Sequence, residues 1–328
     1  MYGDLNLKEV GELVMKKFFN KCGDLPVGVL ATAVAIATLS NIYLAVGGFV
    51  WVRHISMFAG MMVWGVALIK MLHPESTFKA EYRTVIPSSL YGTFSMLTMI
   101  LGSYLFDFNA GLGRGVWLLG IVLHILHILV FTYRFVIKGI DKETFIPSWF
   151  VTYVGLLVAA VVGVPMGMPG LLTAIVYYGF AIMFVLLPLM IYRLRKNPLS
   201  TATELTTMIL VAPNSLCLIG YLNISQNPTP WIVYGWYFLI LMKLVYLGIK
   251  LPNYLNRPFN PGFASLTFPL AISSLASLRM SGFLFSQDME VLGGMVRELF
   301  GIQLYITTAV IGYVVFNFLK LGKKALAK

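Results

Sequence analysis

Charge is what this chain has least of. Only 11% of its 328 residues are charged, against about 25% in soluble domains. So little polar cover excludes an ordinary soluble enzyme. The apolar content excludes a disordered chain. Two cysteines, Cys22 and Cys217, exclude a disulfide framework or a cysteine metal cluster. Acidic residues number 13 and are almost missing from the apolar stretches. That removes the usual coupling groups of proton- and sodium-driven transport. No phosphate loop, nucleotide fingerprint or Ser-His-Asp set occurs, so no enzyme activity and no cofactor is expected. His124 and His127 lie three apart with no Cys, Asp or Glu to complete a metal site. Packing or hydrogen bonding is their expected role.

Apolar length is what the chain has in excess: 59% of its residues are hydrophobic. A membrane helix needs about 20 such residues in a row. The charge-free intervals predict ten spans, at 26–46, 51–72, 84–105, 114–136, 147–163, 170–192, 204–223, 230–250, 260–280 and 298–320. Pro165, Gly167, Pro169 and Gly170 divide the fifth from the sixth, and Asn227, Pro228 and Pro230 divide the seventh from the eighth. Before the first span, Leu7, Val10, Val14 and Phe18 share a face opposite Lys8 and Glu12. Residues 1–25 therefore read as a cytoplasmic, interfacial amphipathic segment rather than a leader. Residues 26–320 read as one membrane domain and 321–328 as a basic cytoplasmic tail.

The net charge of +11 invites a nucleic-acid reading, but its distribution points elsewhere. Most of the 24 basic residues fall at the N-terminal segment, at alternate loops (Lys70, Lys142, Arg193, Lys250 among them) and at the tail. Positive-inside sorting puts that face, and both termini, in the cytoplasm of a cell that carries the chain in its cytoplasmic membrane. Nucleic acid is not an expected partner; the lipid bilayer is. Lys243 falls inside the eighth span, close enough to the cytoplasmic end to snorkel. Glu204 opens the seventh span as a helix-start acid.

Ten spans of this orientation make five hairpins. Odd spans are rich in small and hydroxylated residues, such as Ala31, Ala33, Ala35 and Ala37 in the first, and Thr93, Ser95 and Thr98 in the third. Even spans are bulkier. Small and polar groups in lipid belong where helices pack closely or meet water, so odd helices are expected inside and even helices outside. Pro26, Pro87, Pro147, Pro213 and Pro269 recur about every 60 residues, as an internal hairpin repeat would have it. Of these, Pro213 and Pro269 sit mid-span and should kink their helices. Five hairpins about an axis enclose a central pore. A five-plus-five inverted repeat, the competing design, requires matched breaks in the first and sixth spans, which are not seen.

Short motifs in this order also resemble a known family. They are Pro26-Val27-Gly28, Ala80-Glu81-Tyr82, Pro147-Ser148, Val211-Ala212-Pro213, and Asn260-Pro261-Gly262 running on to Phe268. The chain is similar over all ten spans to the tellurite-resistance/dicarboxylate transporter family. That family contains bacterial TehA proteins, fungal malate permeases and sulfite pumps, and plant guard-cell slow anion channels. The resemblance implies an all-α ring of five hairpins with quasi-fivefold symmetry, a homotrimer, and a pore closed by a phenylalanine at the position of Phe268. Arg257 and Arg279 bound the ninth span at equal distances from Phe268, which places it mid-membrane. Ala264 and Ala271 flank it on one helical face. Thr93, Thr152, Thr207, Pro213 and Pro269 are further candidates for the lining. Positions where relatives carry kink prolines hold Ala33, Ser95 and Thr152. The expected function is a channel or channel-like uniporter for small monovalent anions, its lining made of hydroxyls, small residues and backbone N–H groups exposed at proline breaks. A coupled C4-dicarboxylate transporter, or a tellurite or sulfite exporter, of the same fold is the other reading.

Overall fold

A computed structural model of the chain describes residues 20–201 and 203–326. Ten apolar helices run through them: α1 (Gly28–Gly47), α2 (Val50–Leu72), α3 (Val85–Phe106), α4 (Ala110–Ile137), α5 (Trp149–Val162), α6 (Pro169–Lys196), α7 (Glu204–Ile224), α8 (Pro230–Leu255), α9 (Pro261–Ser286) and α10 (Glu290–Lys324). All but α5 are long and apolar enough to cross a membrane. The chain is an all-α, multi-pass membrane protein. The expected amphipathic segment falls mostly on residues 1–19, outside the described residues.

Local sequence sets the helix ends. Pro169 and Pro230 occupy first-turn positions of α6 and α8, where no N–H is required. The Asn109 side chain caps α4 by accepting from the Leu112 N–H at 2.9 Å, and Asn260 does the same for Gly262. Gly48 closes α1 with φ of 64°, a conformation glycine adopts without strain. Two expected boundaries move. The last helix begins at Glu290, not 298, and continues past 320 into the expected tail. Charges at its two ends hid it from a charge-free criterion, although Glu, Arg and Lys are good helix formers.

The odd and even helices differ in burial. In α1, α3, α7 and α9 between 61% and 83% of the most apolar stretch is buried; in the even helices the share is 22–33%. Even helices instead expose Phe58, Leu126, Phe184, Phe238 and Tyr305, an apolar face suited to lipid. Among the odd helices, α1 packs on α3 and α9, α5 on α3 and α7, and α7 on α9. A Cβ at Gly28 would lie 2.7 Å from the Pro261 carbonyl, so the absence of a side chain there lets α1 and α9 approach.

Polar ties join the layers. The His pair holds α4 against α3 and α5: His124 bonds Ser95 Oγ at 2.7 Å and the Thr152 carbonyl at 2.9 Å. His127 bonds Tyr82 Oη at 2.8 Å and Thr152 Oγ1 at 3.1 Å. At one end of the bundle Arg53 pairs with Asp107. At the other, Lys70 donates to Glu81 at 2.8 Å and to the Leu25 carbonyl at 2.6 Å. Burial raises the Glu81 carboxyl's proton affinity, but hydrogen bonds from Lys70, Tyr91 and Thr77 outweigh it and hold the pKa below the usual value.

Candidate functional site

Four of the five inner helices are not regular. α3 changes course at Tyr91, between the helical stretches Val85–Leu90 and Gly92–Phe106. α5 is interrupted by a 3₁₀ turn at Gly155–Leu157. α7 begins as a 3₁₀ helix over Glu204–Leu210 and turns α-helical at Val211. α9 begins with the 3₁₀ turn Pro261–Phe263. α1, the alanine-rich helix, is continuous. Kinks expected from proline alone are therefore too few. α5 breaks without one, while Pro213 stands mid-span as expected, in the first turn of the α-helical segment that follows the 3₁₀ stretch of α7. A Cβ at Gly155 would meet His124 Cε1 at 2.9 Å, so that break lets the backbone pass under the buried histidine.

These irregular stretches surround a cavity of about 30 Å³, room for one or two waters. All five odd helices contribute to it: Ala31 from α1, Leu90, Thr93 and Met96 from α3, Phe150 and Gly155 from α5, Ile209, Ala212, Pro213 and Leu216 from α7, and Ala264, Ser265, Phe268 and Pro269 from α9. Proline withholds an N–H from the carbonyl one turn back. For Pro213 and Pro269 those carbonyls belong to Ile209 and Ser265, which also line the cavity.

A second, wider space of about 890 Å³ lies on the other side of Phe268, towards the C-terminal ends of α1 and α9. It too draws on all five odd helices, with Thr38, Asn41, Ser103, Val158, Leu222 and Ile272 among its walls. Its charged residues are Arg279 and Arg297. Among the described residues, no carboxylate lines it. Phe268 is the residue common to both spaces, and only 8% of it is exposed.

The expected site residues divide accordingly. Phe268, Ala264, Thr93, Pro213 and Pro269 meet at the small cavity. Three others do not reach either space. Ala271 is fully buried; one residue on, Ile272 takes the wall position, because a helix advances 100° per residue and the fourth neighbour follows Phe268 more closely than the third. Thr152 is spent on His127. Thr207 turns outward, bonding Tyr254 Oη at 3.2 Å, and lines a groove between α6, α7 and α8.

Two residues in or near this region do more than the sequence suggested. Glu204 stands in the first turn of α7 as expected, and it also accepts from Arg257 at 2.6 Å and lies 3.8 Å from Lys250. Arg279 was read only as a bound of the ninth span. Phe268, Ile272, Leu275 and Arg279 line the vestibule in succession along α9, an i, i+4, i+7, i+11 series that the sequence carries openly.

Residues 25–320 match the sequence profile of the SLAC1 voltage-dependent anion channel family. The chain belongs to this family. The match extends from the residue before Pro26 through α10 and so takes in every helix that lines the cavity and vestibule. Members of the SLAC1 family are anion channels or transporters, not enzymes, and the chain is an anion channel or transporter of the membrane. No curated protein matches the chain.

Proposed function

We propose that this SLAC1-family protein is a passive channel, or channel-like uniporter, for small monovalent anions. Its conduit runs along the axis shared by α1, α3, α5, α7 and α9, arranged as a quasi-fivefold ring, and Phe268 is its gate. One observation carries the reading: a single aromatic ring borders both the narrow cavity and the wide vestibule. A benzyl group at such a point closes the path sterically and by excluding water. The vestibule's two arginines, without lining acids among the described residues, give anions a favourable approach.

Around this conduit the even helices face lipid, and the protein assembles as a homotrimer in the cytoplasmic membrane. Residues 26–320 act as one transport domain, between an N-terminal amphipathic segment and a basic tail, with both ends cytoplasmic. Side-specific labelling of a cysteine placed at Lys196 checks the orientation: labelling from the outer face overturns it.

The decisive measurement is anion flux through Phe268→Ala in liposomes, with thermal stability read on the same preparation. Conductance rises by an order of magnitude or more if the ring is a gate, and stability falls little. If Phe268 merely packs between helices, truncation costs about 3–5 kcal/mol and flux stays flat. That result removes the gate.

A further inference from the structure

The two spaces beside Phe268 are unlike in charge: the vestibule has its arginines, while among the described residues no ionisable side chain lines the small cavity. Yet a lysine stands directly behind the cavity wall. Lys243 lies on α8, and its Nζ does not snorkel to the membrane surface. It donates to the Leu210 carbonyl of α7 at 2.9 Å and to Asn214 Oδ1. Leu210 is the residue at which α7 passes from 3₁₀ to α. On the same turn, Ile209, Ala212 and Pro213 line the cavity. The lysine therefore grips the pore helix at its break, from the side away from the pore.

Its partners are neutral. Lys70, the comparable lysine of α2, has Glu81, and Lys250 has Glu204. Among the described residues, Lys243 has no ion-pair partner. Glu204 lines the groove that holds the Lys243 stem, but it is engaged by Arg257 and Lys250. Arg195, which lines that groove as well, only adds to the positive sign. A carbonyl and an amide oxygen orient an ammonium without cancelling its charge. Asn214 is itself fully buried, and its Nδ2 has no hydrogen-bond partner. The amide thus turns its oxygen, and not its amino group, to the lysine, as an ammonium with three donors and no acceptor requires.

We propose that Lys243 is the charge-selectivity residue of the conduit. Its field acts across the width of one helix, through protein rather than water, so salt screens it weakly. An anion in the small cavity is stabilised there and a cation is repelled, although the lining itself carries no charge. This inference rests on the anion-conducting reading above and names the residue that sets its sign.

The experiment uses the full chain with Phe268→Ala, so that current is measurable, under a potassium nitrate gradient in planar bilayers. Lys243→Met and Asn214→Asp are compared with Lys243→Arg. Asn214→Asp is the sharper variant, since it keeps the lysine and its clamp but supplies the missing counter-charge in nearly the same volume. Both neutralising variants should lower nitrate conductance by at least about threefold and move the reversal potential towards that of potassium. Lys243→Arg should retain both. Unchanged conductance and reversal potential in Asn214→Asp would overturn the proposal and leave Lys243 a clamp. If the Asn214→Asp chain does not fold, Lys243→Met decides alone: its unchanged conductance and reversal potential would overturn the proposal. If Phe268→Ala alone passes no anion, the gate reading fails first, and this one falls with it.

Discussion

The two sides of Phe268 solve one problem in opposite ways. The vestibule is wide, hydroxylated and open to two arginines. The small cavity is barely larger than a water molecule and is walled by alanine, proline, leucine and aromatic side chains. On the proposed reading, an ion approaching from the vestibule keeps its hydration until it meets the ring. Past the ring it has little room for water and few groups to replace it. Entry and passage are then separable: charge gathers the ion on one side, and dehydration sorts it on the other.

The comparison breaks most completely if the narrow side is not the conduit. In a Phe268→Ala background, Ala264→Phe puts a ring back into the same cavity one turn away. It should abolish the current that Phe268→Ala releases, with the protein still folded by size-exclusion chromatography. Persistent current would mean that ions bypass the cavity.

On the wide side, Arg279→Gln with Arg297→Gln should lower anion conductance by about fivefold at 10 mM salt. At 1 M salt, where the screening length is about 3 Å, the deficit should nearly vanish. A deficit independent of salt would place the arginines in structure rather than in steering.

Dehydration sharpens the contrast further. Weakly hydrated nitrate should be more permeant than chloride by a few-fold, because the cavity returns little for the water removed. Reversal potentials placing chloride ahead of nitrate would show a more polar narrow side than the structure describes.

The smallest effect is expected behind the wall. Thr152→Val removes the hydroxyl that bonds His127 and should cost about 1–3 kcal/mol of stability for the polar group left unpaired. Current through the Phe268→Ala pore should not change. A changed current would return Thr152 to the lining.

How much of this was legible in the sequence depends on what each feature answers to. Ten spans could be read because charges interrupt lipid-facing chain so sharply, and α5 at Trp149–Val162 falls inside the expected 147–163. Inside-versus-outside could be read from alanine and threonine against phenylalanine and tryptophan. Helix breaks were read too narrowly, through proline. Gly155 bends α5 because His124 on another helix needs its space, and no property of α5 alone announces that. Lys243 was judged by its distance to the end of its own helix. What holds it is the Leu210 carbonyl, at the change of helix type on α7. Thr152 and Thr93 look alike in sequence. One meets a histidine and the other a cavity, a choice made by the neighbouring helices.

The shortness of α5 has an electrical meaning. At about 1.5 Å per residue it covers about 20 Å, against about 30 Å of hydrocarbon. Its last turns and the loop beyond, Val158 to Pro165, form part of the vestibule wall. In the proposed channel, aqueous electrolyte filling the vestibule reaches Phe268 and stays close to the potential of the bulk solution on that side. The voltage across the membrane then falls mainly over the dry stretch past the ring instead of being spread through the whole thickness. One elementary charge traversing the full drop exchanges about 2.3 kcal/mol per 100 mV. If Phe268 is the gate, concentrating that drop makes the few ångströms around it the place where membrane potential does most of its work on a passing ion.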